Sequence, residues 1–187
     1  MSSPIGHSLA GIIIADCRDR TLSSKKYGFL LLCAFIANAP DLDFIPGIIV
    51  GQPNLYHHGI SHSLGAAVFF SVLLSVVVIR WSKSTFSRNF FFIFALYCSH
   101  LLLDLISCDG RPPFGIPLFW PFLNKYFMFP ILPSFQHSPF THAGIGEFID
   151  GILTLHNVYV IGLEILLAVP IALACWLFSR LKPVRSQ

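Results

Sequence analysis

The chain has 187 residues, of which 55% are hydrophobic and only 11% charged. A soluble domain carries roughly 25% charged residues, so an ordinary soluble globular enzyme and a disordered chain are both excluded in favour of a membrane-embedded protein. The net charge of +3 is dispersed over three short basic blocks and offers no nucleic-acid patch, and the five cysteines have no Cys-x-x-Cys spacing that would suggest a disulfide framework or a thiolate metal site.

In chain order, the first apolar stretch is residues 5–15. It follows Met-Ser-Ser-Pro-Ile-Gly-His, which lacks the basic start of a cleaved signal peptide, so the stretch is expected to belong to the mature fold. Residues 27–39 form a second short apolar run. Both are too short to read as spans and are expected to pack inside the bundle or to insert partly. Residues 64–79, 89–107 and 158–178 read as spanning helices. At about 1.5 Å per residue each covers most or all of a hydrocarbon core of roughly 30 Å. Between the last two lies 113–135, which is apolar and aromatic but broken by Pro117, Pro121, Pro130 and Pro133. Prolines at this spacing oppose a straight helix. The segment reads as a re-entrant or interfacial stretch over the outer leaflet, either a membrane anchor or a wall along which a lipid enters. The expectation is therefore an all-α integral membrane bundle, a single domain over 1–187, with about three clear spans and two shorter membrane-associated helices.

Basic residues orient this bundle. Arg18, Arg20, Lys25, Lys26, Arg80, Lys83, Arg88, Arg180, Lys182 and Arg185, ten of the twelve Lys and Arg, fall on one side. The positive-inside rule makes that side cytoplasmic, and Trp81 and Trp176 sit at its interface. All eight histidines and six of the nine acids then converge on the opposite, outer face. Such a separation of residue classes is the strongest functional signal in the chain.

Three constellations carry the chemistry. His100 and Asp104 are four apart on a helix and share a face, and an ionisable pair in an apolar helix is costly enough to suggest function. The alternative is a His–Asp bond that staples two helices. Asp41 and Asp43 stand where a helix ends, and two carboxylates there suit metal bridging. In His57-His58-Gly59-Ile60-Ser61-His62, imidazole is the commonest metal ligand. His57 and His62 are the favoured ligands or acid/base groups, and His58 is less so because neighbouring imidazoles seldom serve one site. His7 joins the set by its predicted depth. His142 and Glu147, five apart, are weaker candidates for a further metal or a supporting role. His137, Asp150 and His156 rank lower, and Glu164 in the last span either orients a ligand or pairs with another helix.

The order of these motifs resembles the bacterial inner-membrane metal-dependent hydrolases named in part for the LexA regulation of one member. The matching elements are His7, Pro40-Asp41-Leu42-Asp43, the stretch from His57 to Ser63, His100 to Asp104, and Phe119-Trp120-Pro121-Phe122, over roughly residues 5–122. Two positions depart from that family's pattern, with His58 in place of Arg and Ser61 in place of Thr. A more distant likeness is to the zinc-dependent phospholipase C and S1/P1 nuclease superfamily, which orders its ligands in the same way. That analogy implies one metal at Asp43, His57, His100 and Asp104, a neighbouring one near His7, and phosphoester hydrolysis.

The resulting expectation is a metal-dependent hydrolase in the bacterial inner membrane. It would act at the outer face on a lipid or lipid-linked phosphoester. One or more Zn²⁺ ions, with Mn²⁺ or Fe²⁺ as alternatives, would be held by His7, Asp41, Asp43, His57, His62, His100 and Asp104. Asp41 and His62 are the candidate catalytic groups, His62 as ligand or general acid. A membrane adaptor with a structural metal is the rival reading. A metal-ion transporter is less favoured, because the inner halves of the helices carry almost no polar residues.

Overall fold

Apolar segments in lipid must satisfy their own backbone, and these do so as helices. The computed structural model describes residues 1–18, 26–81, 84–138 and 140–181. Seven α-helices run in the order α1 (Pro4–Arg18), α2 (Lys26–Ala37), α3 (Phe44–Ile49), α4 (Leu64–Val78), α5 (Phe86–Ile106), α6 (Ile145–Ile152) and α7 (Leu155–Leu181), with short 3-10 turns at Ala39–Asp43, Pro53–Leu55 and Ile60–His62. No strand occurs among the described residues; only two isolated bridges do, Ser107 to Leu132 and Ile116 to Phe127. Arg20, Lys25, Lys83, Lys182 and Arg185, used above to orient the chain, lie outside the described residues.

The spans differ from the expected set. α5, over Phe86–Ile106, and Leu155–Leu177 of α7 are long and apolar enough to cross a membrane. Residues 64–79 are not: α4 has 15 residues, and at about 1.5 Å each it falls short of a core of roughly 30 Å. Its start is pinned at Leu64 by the Ser63 side chain, which accepts the Ala66 N–H at 3.1 Å. The Leu64 and Gly65 N–H groups donate to the Leu118 and Trp120 carbonyls of the proline-rich segment. A third candidate span comes from 27–39, expected to be short. Tyr27–Ala37 and Ala39–Ile49 form a pair bent by 59° that reads as one broken span or a re-entrant loop.

That bend has a local cause. Asn38 ends α2, and Pro40 carries no N–H, so the Ala37 carbonyl lacks the 3-10 partner a residue at position 40 would supply. The next N–H, of Asp41, goes to the Asn38 carbonyl instead.

α1 packs against α2, α5 and α7, while α5 also packs against α2 and α4. One core layer is Ala15, Cys33, Ile36, Ile93 and Leu96. A second, of Ala39, Ala67, Tyr97, Leu101 and Ile116, lies toward the site. Close approach of α1 and α2 depends on Gly11, where a Cβ would stand 2.8 Å from the Cys33 carbonyl oxygen and from the Ala37 Cβ. Residues 113–135 form no helix, and Phe122 and Ile131 on them are exposed.

Candidate metal centre

Three elements bring four residues together at one end of the bundle. The turn after α2 brings Asp41, the turn before α4 brings His62, and the last two turns of α5 bring His100 and Asp104. The His62 Nε2 lies 3.5 Å from Asp41 Oδ1 and 3.4 Å from Asp104 Oδ2. The His100 Nε2 lies 3.5 Å from Asp41 Oδ1, 3.1 Å from Asp104 Oδ2 and 3.2 Å from His62 Nε2. A tetrahedral ion with bonds of about 2.0–2.1 Å spaces its ligands about 3.3–3.4 Å apart. The five separations match that spacing.

Proton placement sharpens the fit. The His100 Nδ1–H donates to the Ala37 carbonyl at 2.8 Å, which leaves Nε2 with its lone pair. The His62 Nδ1 lies 3.1 Å from Asp43 Oδ2 and from the Ser61 hydroxyl oxygen. The Ser61 hydroxyl itself donates to Asp43 at 2.8 Å, so the imidazole proton belongs on Nδ1. With both imidazoles neutral, as metal ligands must be, two lone pairs and two carboxylate oxygens face one another with no donor among them. Tying the far nitrogen of each imidazole to an outer acceptor is the usual preparation of a histidine for metal binding. Both oxygens of Asp41 and the Oδ2 of Asp104 are buried without a hydrogen-bond partner, and leaving buried acceptors unsatisfied is costly. The residues could hold a divalent cation through two nitrogen and two oxygen donors.

The other expected residues surround this group. The His7 Nε2 reaches Asp104 Oδ1 at 3.4 Å, and its ring stacks on His100 with centroids 3.7 Å apart. Asp43, expected as a ligand, lies beside the four-atom group, its oxygens approached by His57, His62 and Ser61. His57, also expected as a ligand, gives its Nδ1–H to Asp43 at 2.9 Å and stacks on Phe44. Asp41, Asp43 and His57 do form a further grouping with donor atoms within 4.8 Å of one another, as do His57, His58 and His62. The Asp104 Oδ1 is held by the Ser2 N–H at 2.8 Å. Ser2 and Ser3 are in turn bonded by Glu164 of α7, which gives that intramembrane acid an orienting role.

His142 and Glu147 are not brought to the cluster. His142 is exposed and bonds Gln52, and Glu147 sits on exposed α6. His156 bonds the Ser134 carbonyl and is also exposed, as is Asp150. His137 is half-buried against Phe44 and Phe148. Sequence reasoning ranked His58 low and missed Asp109 and Arg111. The His58 Nδ1–H donates to Asp109 Oδ2 at 2.9 Å across 51 residues, a separation no local pattern reveals. Arg111 donates to the Asn54 and His57 carbonyls and so holds the turn that carries the histidines.

Electrostatics separate the imidazoles. Burial pushes His57 well below its ordinary pKa, and His58 beside it adds to the effect against the opposing pull of Asp43. Burial likewise lowers His58, opposed by its bond to Asp109. Burial would lower His62 too, but Asp43, Asp104 and Asp41 outweigh it and hold that group well above its ordinary value. Burial and the charge of Arg111 push His137 down to about 3. Beside the cluster a cavity of ≈ 570 Å³ opens, lined both by polar residues, His58, Ser61 and Arg111 among them, and by the larger Tyr56, Ile60 and Tyr126.

Fold and site together define an all-helical membrane protein whose bundle encloses a His/Asp cluster that could hold a metal ion. The chain belongs to the YdjM inner membrane protein family, whose model matches residues 1–183. The match extends well past residue 122, where the motifs end. No curated protein and no solved structure matches the chain.

Proposed function

We propose that this protein is a membrane-bound metal-dependent hydrolase that cleaves a phosphoester of a lipid or lipid-linked substrate at the outer membrane face. The observation that carries the reading is the meeting of Asp41 Oδ1, His62 Nε2, His100 Nε2 and Asp104 Oδ2 at metal-ligand spacing beside a cavity lined by both polar and apolar residues. When bound there, a zinc ion supplies Lewis-acid polarisation of a phosphoryl oxygen and activation of water. The chain's own residues do the rest. Asp43 and Ala37 fix the tautomers of His62 and His100, Arg111 holds the 54–57 turn, and Tyr56 and Ile60 present an apolar wall to an acyl or prenyl chain. The outer-face assignment rests on Arg18, Arg80 and Arg88, which lie at the opposite ends of α1, α4 and α5 from the cluster.

One observation favours a second reading. Four protein donors can fill a tetrahedral ion, and a filled ion is the mark of a structural metal. Metal analysis of the detergent-purified chain beside His100→Ala, with product release measured on vesicles of phosphatidylglycerol or phosphatidic acid, separates the two. Zinc that is lost in the variant, together with zinc-dependent release of product, supports the hydrolase. Bound zinc without turnover, and a Co²⁺-substituted spectrum that inorganic phosphate leaves unmoved, supports the structural role. A wild-type protein that binds no metal after reconstitution overturns both.

A further inference from the structure

His58 is built as a ligand whose cation has not yet been assigned. Its backbone φ is +61°, and it is the only residue other than glycine with positive φ among the described residues. The left-handed region is uncommon for such residues and marks a site held in place by its surroundings. The Nδ1–H is given to Asp109 Oδ2. Asp109 is itself fixed by the Gly115 N–H on the same oxygen and by the Arg111 N–H on the other, each at 3.1 Å. The imidazole therefore presents a bare Nε2, and that atom is buried with no hydrogen-bond partner. What it faces is Asp104 Oδ2, at 3.9 Å. Two acceptors aimed at each other repel unless something positive lies between them, and their separation is short enough for one cation with bonds of about 2.0–2.2 Å to reach both.

We propose that His58 holds a second divalent cation between its Nε2 and the Asp104 carboxylate, which the second cation shares with the one at Asp41, His62 and His100. This inference rests on the metal reading of the four-atom group. It also narrows the substrate. Paired cations on a shared carboxylate suit the adjacent oxygens of a phosphoryl group, and the second ion would border the cavity that His58 lines.

The test is zinc stoichiometry of the full chain in detergent, stripped with chelator and dialysed against buffered Zn²⁺, for wild type, His58→Asn, Asp109→Asn and His100→Ala. Asn is chosen because it tolerates the left-handed backbone. The expected result is two equivalents in wild type and one in His58→Asn. Asp109→Asn is expected to keep both, with one bound about 10–100-fold more weakly because His58 has lost its orienting carboxylate. One equivalent in wild type, or two in His58→Asn, overturns the second site and leaves the proposed hydrolase standing. No zinc in wild type removes both. If His58→Asn fails to fold, Asp109→Asn decides, and two equivalents with unchanged affinity would refute the proposal.

Discussion

Replacing Asp43 with Asn should weaken zinc binding substantially through the imidazoles that it orients. Its Oδ1 takes the His57 Nδ1–H at 2.9 Å, while Oδ2 takes the Ser61 hydroxyl at 2.8 Å and lies 3.1 Å from the His62 Nδ1. An amide substitutes an NH₂ donor for one of these oxygens. In either flip that donor meets an N–H, so one imidazole must reverse its tautomer or lose its partner. If His62 reverses, its proton moves to Nε2, into the space the cation needs. Loss of an outer carboxylate of this kind typically costs about 10–100-fold in metal affinity, or about 1.4–2.7 kcal/mol. Chelator competition on the detergent-purified protein measures it, with Ser61→Ala as a control that keeps the Asp43 carboxylate and should cost less than about threefold. Unchanged affinity in Asp43→Asn would refute the tautomer argument. Complete loss of the metal would place Asp43 among the ligands themselves.

Acid should compete with the cation. His62 is held above its ordinary pKa and carries a proton in the metal-free protein, so binding must displace that proton. Zinc affinity is then expected to fall about tenfold for each pH unit lowered below that raised pKa, with about one proton released per ion; calorimetry in buffers of different ionisation enthalpy checks this, and a pH-independent affinity between about pH 6 and 8 contradicts it. Gly11→Ala inserts a methyl group against the Cys33 carbonyl and the Ala37 Cβ. It should cost about 1–3 kcal/mol, read as a lower thermal midpoint in detergent. Zinc affinity should fall with it, because α1 carries His7 and the end of α2 carries the acceptor of His100. Asn157→Ala, at the start of α7, removes an amide that bonds both backbone groups of Gln136 and the carbonyls of Gly151 and Ile152. A loss of about 2–4 kcal/mol is expected from the orphaned groups, with zinc stoichiometry unchanged.

What the sequence made legible follows from how local each feature is. His100 and Asp104 lie four apart on one helix, so their shared face can be read without a structure. The clustering of the histidines at one end of the bundle was legible from charge segregation along the chain. Span lengths were less so, because α4 is cut short by a cap from Ser63 and by carbonyls lent from Leu118 and Trp120, more than fifty residues away. The bond between His58 and Asp109 was hidden for the same reason. His142 and Glu147 misled in the opposite direction. Their residue types suited a metal, but α6 turns Phe148 toward Phe44 and His137 and leaves Glu147 exposed, away from the cluster. Which of Asp41 and Asp43 would face the Nε2 atoms of His62 and His100 was beyond reach, since the two are equivalent in sequence and differ only in which atoms approach them.

The broken helix at Asn38 and Pro40 has one more consequence. Inside hydrocarbon a bare carbonyl is expensive, so the chain cannot rest with Ala37 unpaired. The donor that relieves it is the His100 ring, which belongs to a different helix. Until α5 docks, the kink carries an unmet need. Once it docks, meeting that need turns the other ring nitrogen toward Asp41, His62 and Asp104. Assembly of the bundle and orientation of the His100 ring are therefore a single event. A straightened helix would be easier to insert, but it would withdraw the carbonyl and leave His100 free to point either way.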